Sequence, residues 1–164
     1  MHLNNRKWLE DCKKAYPDNF KGCSVLEIGS QDVNGTIRDY FEDCDYIGVD
    51  REEGNGVDIV CDARETKFDK KFDTVMIISV FEHDLNWKDT LKHNIQWLKK
   101  DGLCFICFGA EGNLPHMDIW AIVPHQEFLD ECKKLGLKVI DAFFEEERYG
   151  AGDSGVYDLI VKWQ

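Results

Sequence analysis

The chain has little proline, no long hydrophobic run and no excess of positive charge, and each shortage removes a class of protein. Three prolines in 164 residues, with 43% of residues hydrophobic, exclude a proline-rich or low-complexity polymer and leave a chain able to bury a core. No apolar stretch approaches the roughly 18 residues that a membrane-crossing helix needs. The opening MHLNNRKWLEDCKK is polar and charged, unlike a secretory leader, so the expected compartment is cytoplasmic. Lys and Arg number 20 against 32 Asp and Glu, a net charge of −12. A basic face that tracks a nucleic-acid backbone is therefore not expected. The pairs Lys13-Lys14, Lys70-Lys71, Lys99-Lys100 and Lys133-Lys134 are scattered and read as solvated helix ends and turns. The length fits one domain, residues 1–164, rather than two full cores.

Cysteine is not scarce, but its seven copies do not form a framework. The count is odd, and Cys23, Cys61, Cys104, Cys107 and Cys132 lie in apolar segments. They read as reduced thiols that pack as small hydrophobes. Cys104-Phe-Ile-Cys107 has the spacing of a redox or zinc pair. It falls in the run Leu103 to Phe108, which reads as a buried strand, where residues three apart face opposite sides. No second such pair completes a zinc site, and no metal is expected.

Periodicity then supplies an architecture. Asn5 to Tyr16 reads as an amphipathic helix with Trp8, Cys12 and Ala15 on one stripe, ended by Pro17, within an N-terminal segment (residues 1–20) that packs on the core. Strands are expected at Cys23–Ile28, Tyr46–Val49, Val57–Val60, Asp73–Ser79, Leu103–Phe108, Lys138–Phe144 and Val156–Trp163. Thr36–Phe41 reads as a short helix. Trp87, Leu91, Ile95 and Leu98 mark a long one. Pro124 suits the first turn of a third, with Phe128, Leu129, Cys132 and Leu135 as its buried stripe and Gly136 as its stop. Strands alternating with helices call for a doubly wound α/β sheet, covered by helices on both faces. The last two strands have no helix between them and are expected to pair antiparallel.

In such sheets ligands bind beyond the carboxyl ends of the strands, where strand order reverses. Four segments project there. Glu27-Ile-Gly-Ser-Gln-Asp-Val-Asn-Gly35 carries a strand into a small-residue turn, where Gly29 allows close approach and a following helix would offer free amides. Its spacing is not Gly-x-Gly-x-x-Gly, which argues against a dinucleotide. Asp50 ends the second strand, where a carboxylate accepts from both hydroxyls of a ribose. Cys61-Asp-Ala-Arg64 follows the third strand, and Ser79-Val-Phe-Glu-His83 the fourth.

Together these segments resemble the class I S-adenosylmethionine-dependent methyltransferases, in particular their small type 11 branch. VLEIGSQDVNGTIR is similar to that branch's first motif, and YIGVDREEGNGVDIVCDARE to its second and third. FDTVMIISVFEH with LKKDG is similar to its fourth strand and the turn before its fifth. His116-Met-Asp-Ile-Trp120 is similar to its histidine-to-tryptophan stretch. The resemblance covers about residues 22–140 and implies a seven-stranded sheet of order 3-2-1-4-5-7-6 with strand 7 antiparallel. It implies S-adenosyl-L-methionine as cofactor, with Glu27, Gly29 and Ser30 at the methionine end and Asp50 on the ribose. Asp62 and Ala63 would take the adenine and Ser79 the amino acid, and Gln31, Asn34, Arg51, Arg64 and Val80 complete the binding set. Two departures stand out: Gln31 replaces the usual second glycine of the first motif, and no inserted substrate lid is present.

The expected reaction is methyl transfer to a small-molecule acceptor, with a neutral or cationic one suiting the acidic chain. A hydroxyl or ammonium acceptor must lose a proton, for which His83 and His116 are the catalytic candidates; His125, in a first helical turn, is a weaker one. The glycine-rich Tyr149–Gly155 would emerge at the cofactor edge and act as a lid. Two other classes stay open. One is an enzyme that uses or cleaves the cofactor differently, as a lyase or a polyamine synthase with an extra acceptor carboxylate such as Glu111. The other is a binding module without turnover.

Overall fold

The computed structural model describes residues 3–33, 35–109, 123–145 and 156–164. Seven strands form one sheet: β1 (Ser24–Ile28), β2 (Asp45–Asp50), β3 (Ile59–Val60), β4 (Phe72–Ile78), β5 (Leu98–Gly109), β6 (Leu137–Glu145) and β7 (Val156–Trp163). Their order is β3-β2-β1-β4-β5-β7-β6. β7 runs antiparallel to both β5 and β6, and the other pairings are parallel. This is the expected sheet.

Side-chain alternation sorts the core into two layers. Leu26, Ile28, Val75, Ile77, Cys104, Ile106 and Phe108 pack on one face with Leu91 and Ile95 of α1 (Trp87–Ile95) and with Phe128 and Cys132 of α2 (His125–Lys134). Val25, Met76, Phe105 and Ile160 pack on the other, against Leu9 and Cys12 of the N-terminal helix αN (Leu3–Ala15). Cys104 and Cys107 therefore face opposite sides of β5, as strand geometry requires. All seven cysteines are thiols. Among the described residues no helix is long and apolar enough to cross a membrane.

Several boundaries differ from the sequence reading. The helix expected over Thr36–Phe41 is a single 3-10 turn, Arg38–Tyr40. Six residues are too few to repay helix nucleation, and Phe41 goes extended (φ −98°, ψ 136°) before Glu42, which pairs with Lys21 across a parallel bridge. The helix built on Trp87 stops at Ile95, because Leu98 already pairs with Phe72 as the first residue of β5. β5 itself begins five residues early, with a register shift between Phe72 and Thr74 on its partner. There Lys99 Nζ bonds Asp73 Oδ1 at 2.8 Å, and a Cβ on Gly102 would stand 2.7 Å from the Asp73 carbonyl. β3 shrinks to two residues since Val57 closes a turn onto Gly54 and Asp58 turns its carboxylate to the Gly48 amide. Pro124 precedes α2 in an extended conformation, and Gly136 (φ 75°) ends it.

Phe105 is the anchor of the αN face. It is fully buried, with Trp8, Tyr16 and Phe20 edge-on at 6.3, 6.1 and 5.3 Å. Phe105→Ala is expected to lower unfolding free energy by about 3–5 kcal/mol, read from urea midpoints at unchanged slope. A loss under 1 kcal/mol would contradict the docking of αN on this ring.

Candidate active site

A cavity of about 620 Å³ opens at the carboxyl ends of β1, β2 and β4, the point where chain order reverses within the sheet. It is lined by Glu27, Gly29, Ser30, Gln31, Asp50, Arg51, Asp62, Ala63, Arg64, Ser79, Val80 and His83. These are the expected binding residues and one of the two expected catalytic histidines. Asn34, His116, Glu111 and the loop Tyr149–Gly155 lie outside the described residues.

Backbone geometry explains why the cavity forms. After β1 the chain leans onto β2: the amides of Gly29 and Ser30 both donate to the Val49 carbonyl, at 2.8 and 3.1 Å, and Asp32 N donates to Asn55 O at 2.8 Å. That close approach needs space on both sides. A Cβ on Gly48 would meet Gly56 O at 2.3 Å and Ser30 Oγ at 2.7 Å, and one on Gly29 (φ 79°) would strike Val80 Cγ2 at 2.4 Å. On the β4 side, Ser79 holds φ 56° without being glycine, a conformation that costs energy and concentrates at functional sites. Its amide donates to Cys107 O at 2.8 Å. Behind it Phe81 is fully buried among Phe108, Phe128 and Trp87, which fixes the turn carrying His83.

The carboxylates differ in how they are held. Asp50 Oδ2 accepts from the Gln31 amide at 3.1 Å and Oδ1 from the Glu52 amide at 3.2 Å. One lone pair remains on each oxygen, so the pair can still receive two vicinal hydroxyls. Asp62 accepts from its own neighbour: Arg64 N at 2.8 Å and Nε at 2.9 Å on Oδ1, and a second guanidinium nitrogen at 2.6 Å on Oδ2. The Arg64 side chain holds this carboxyl down to about 2. Ser30 Oγ is buried and has no hydrogen-bond partner among the described residues.

Glu27 is the unusual one. It is buried at 6% exposure, and its pKa is pushed up to about 7 by that burial, against the Tyr46 hydroxyl that donates to it at 2.7 Å. The Arg38 guanidinium lies over the Tyr46 ring at 4.5 Å and pairs with Asp58, whose Oδ2 accepts the Gly48 amide at 2.7 Å. The 3-10 turn that replaces the expected helix thus delivers Arg38 to this stack. The free amides expected from a helix start are not found among the described residues of the loop: the amides of Gly29, Ser30, Gln31, Asp32, Val33 and Gly35 are all bonded within the fold.

Sequence reasoning missed Asp84 and Thr90, which also line the cavity. Asp84 accepts the Asn86 amide at 2.8 Å and the Thr90 hydroxyl, a local turn that leads into α1. It missed the Arg38–Asp58 pair as well, which no spacing announces.

A family model described as a methyltransferase domain matches residues 2–111. The chain belongs to that family. No curated protein matches it in sequence. Among solved structures it is similar to 1,6-didemethyltoxoflavin-N1-methyltransferase of Burkholderia thailandensis, solved with S-adenosylhomocysteine, at 14% identity and TM-score 0.71, covering 98% of this chain and 86% of that one. Magnesium protoporphyrin IX methyltransferase of Synechocystis PCC 6803, also solved with S-adenosylhomocysteine, gives 10% identity, TM-score 0.68 and coverage of 99% and 84%. The (4+2)-cyclase SpnF gives 11% identity, TM-score 0.75 and coverage of 96% and 80%. At these identities the likeness is one of fold.

The buried carboxyl sets a pH prediction. Glu27 in the folded chain keeps its proton up to about 7, whereas an unfolded glutamate releases it near 4.3. The folded state therefore binds more protons across that window, and stability falls as pH rises through it. Glu27→Gln removes this fall. The variant should match the wild type near pH 4 and exceed it by on the order of 3–4 kcal/mol at pH 8, measured by urea unfolding. Parallel pH profiles would contradict the assignment.

Proposed function

We propose that the chain is an S-adenosyl-L-methionine-dependent methyltransferase, working as one cytoplasmic domain over residues 1–164 on a small-molecule acceptor. The observation that carries the cofactor is Asp50: a carboxylate at the tip of β2, oriented by two backbone amides and keeping a lone pair on each oxygen. Gly29 adds a cradle that any side chain would fill. The cavity volume lies within the range usual for small-ligand sites.

When bound, the cofactor supplies a methyl group on a sulfonium, already activated for in-line displacement. The chain's own residues supply position. Asp50 accepts the ribose hydroxyls, and Asp62, with Arg64 locking its orientation, and Ala63 border the adenine. Gly29, Ser30, Gln31 and Asn34 follow the methionine chain, with Arg51 and Val80 closing the sides and Ser79 meeting the amino acid. Glu27, with a carboxyl balanced near neutrality, takes its charged form when a cation comes beside it. Holding two reactants in line contributes on the order of 7–11 kcal/mol to such a reaction. For an acceptor that must lose a proton, His83 and His116 are the proposed bases. The net charge of −12 favours a neutral or cationic acceptor.

The cyclase among the structural neighbours keeps a second reading in view, that this fold holds the cofactor for another reaction. Calorimetric titration separates the parts. S-adenosylmethionine and S-adenosylhomocysteine are expected to bind with micromolar affinity, and Asp50→Ala to weaken both at least tenfold, since each hydrogen bond to a charged group contributes about 1.5–3 kcal/mol. Absence of binding, or equal affinity in the variant, would contradict the reading.

A further inference from the structure

Two thiols stand together at the amino ends of β1 and β2, the sheet edge opposite the cavity. Cys23 precedes β1, Cys44 precedes β2, and their sulfurs are 3.4 Å apart. The next residues, Ser24 and Asp45, are register partners, and the Asp45 amide donates to the Cys23 carbonyl at 2.9 Å. Neighbouring strands run about 4.8 Å apart, inside the roughly 4.4–6.8 Å between Cα atoms that a disulfide bridges. Cys12, Cys104, Cys107 and Cys132 are buried, Cys104 and Cys107 on opposite faces of β5.

The two partners differ in access. Cys44 is half-buried and turns its thiol toward the carbonyls of Glu42 and Phe20, at 3.2 and 3.6 Å. Cys23 is 8% exposed, and burial pushes its thiol up to about 12. The accessible sulfur therefore reacts first, and Cys23 Sγ, 3.4 Å from it, is placed to resolve the adduct.

We propose that Cys23 and Cys44 are a reversible modification site, forming a disulfide by exchange with a small-molecule disulfide of the glutathione class. The Cys44 thiolate attacks one sulfur of oxidised glutathione; that sulfur–sulfur bond breaks and one glutathione thiolate leaves. The Cys23 thiolate then attacks Cys44 Sγ and expels the second glutathione. Two protein thiols are oxidised, one donor disulfide is reduced to two thiols, and the two cysteine protons end on the released glutathiones.

The test uses the full chain incubated with oxidised glutathione, alkylated and digested with trypsin for mass spectrometry. Gly22–Arg38 and Asp39–Arg51 are expected to appear joined, two hydrogens lighter than their sum, and to separate on reduction. Cys23→Ser should trap a glutathione adduct on Cys44, and Cys44→Ser should leave Cys23 a free thiol. In the wild type, a lasting glutathione adduct on Cys44 would overturn the proposal. So would Cys23 remaining alkylatable after Cys44 has reacted.

Discussion

The close lean of the loop after β1 onto the end of β2 is the constraint on which the rest of the site depends. Two amides share the Val49 carbonyl, and the next amide turns to the Asp50 carboxylate. One short stretch of backbone thereby sets the floor of the cavity and aims its central acid. The lean is possible only because Gly48 and Gly56 leave room for Ser30. A methyl group at Gly48 would collide with backbone rather than a movable side chain, so the glycines of YIGVDREEGNGV serve the first motif as much as the second.

Beneath that floor the electrostatics are layered. The Glu27 carboxyl borders the cavity, the Tyr46 hydroxyl donates to it, and the Arg38 guanidinium covers the Tyr46 ring and pairs with Asp58. A buried carboxyl without such a partner would be costly. Here the Tyr46 hydroxyl serves either protonation state, so the group can titrate near neutrality without losing its bond. Asp62 contrasts with it: its Arg64 partner keeps it charged across the physiological range, and its part is geometric.

Much of this was legible in the sequence because the sheet is buried on both faces. Apolar runs such as VLEI, DTVMIIS and LCFICF betray their strands, and the carboxyl ends of the first two carry polar residues of the cavity. What was not legible had physical causes. The Thr36–Phe41 pattern has helical spacing, but Phe41 is committed to the extended stretch that brings Glu42 to Lys21. Leu98 continues the helical stripe of Trp87, Leu91 and Ile95, yet strand pairing with Phe72 wins it. Arg38 and Asp58 are twenty residues apart and meet only through the fold.

Fold alone does not name a reaction, and structures of similar shape include both methyltransferases and a cyclase. The central claim is narrower: Asp50 holds the hydroxyls of an adenosyl ligand. A double-mutant cycle tests it most directly, comparing S-adenosylhomocysteine with its 2′-deoxy analogue on the wild type and on Asp50→Ala. The account predicts that loss of the hydroxyl weakens wild-type binding about tenfold or more and leaves the variant almost unchanged, a coupling on the order of 1 kcal/mol or above. Equal penalties in both proteins would contradict it.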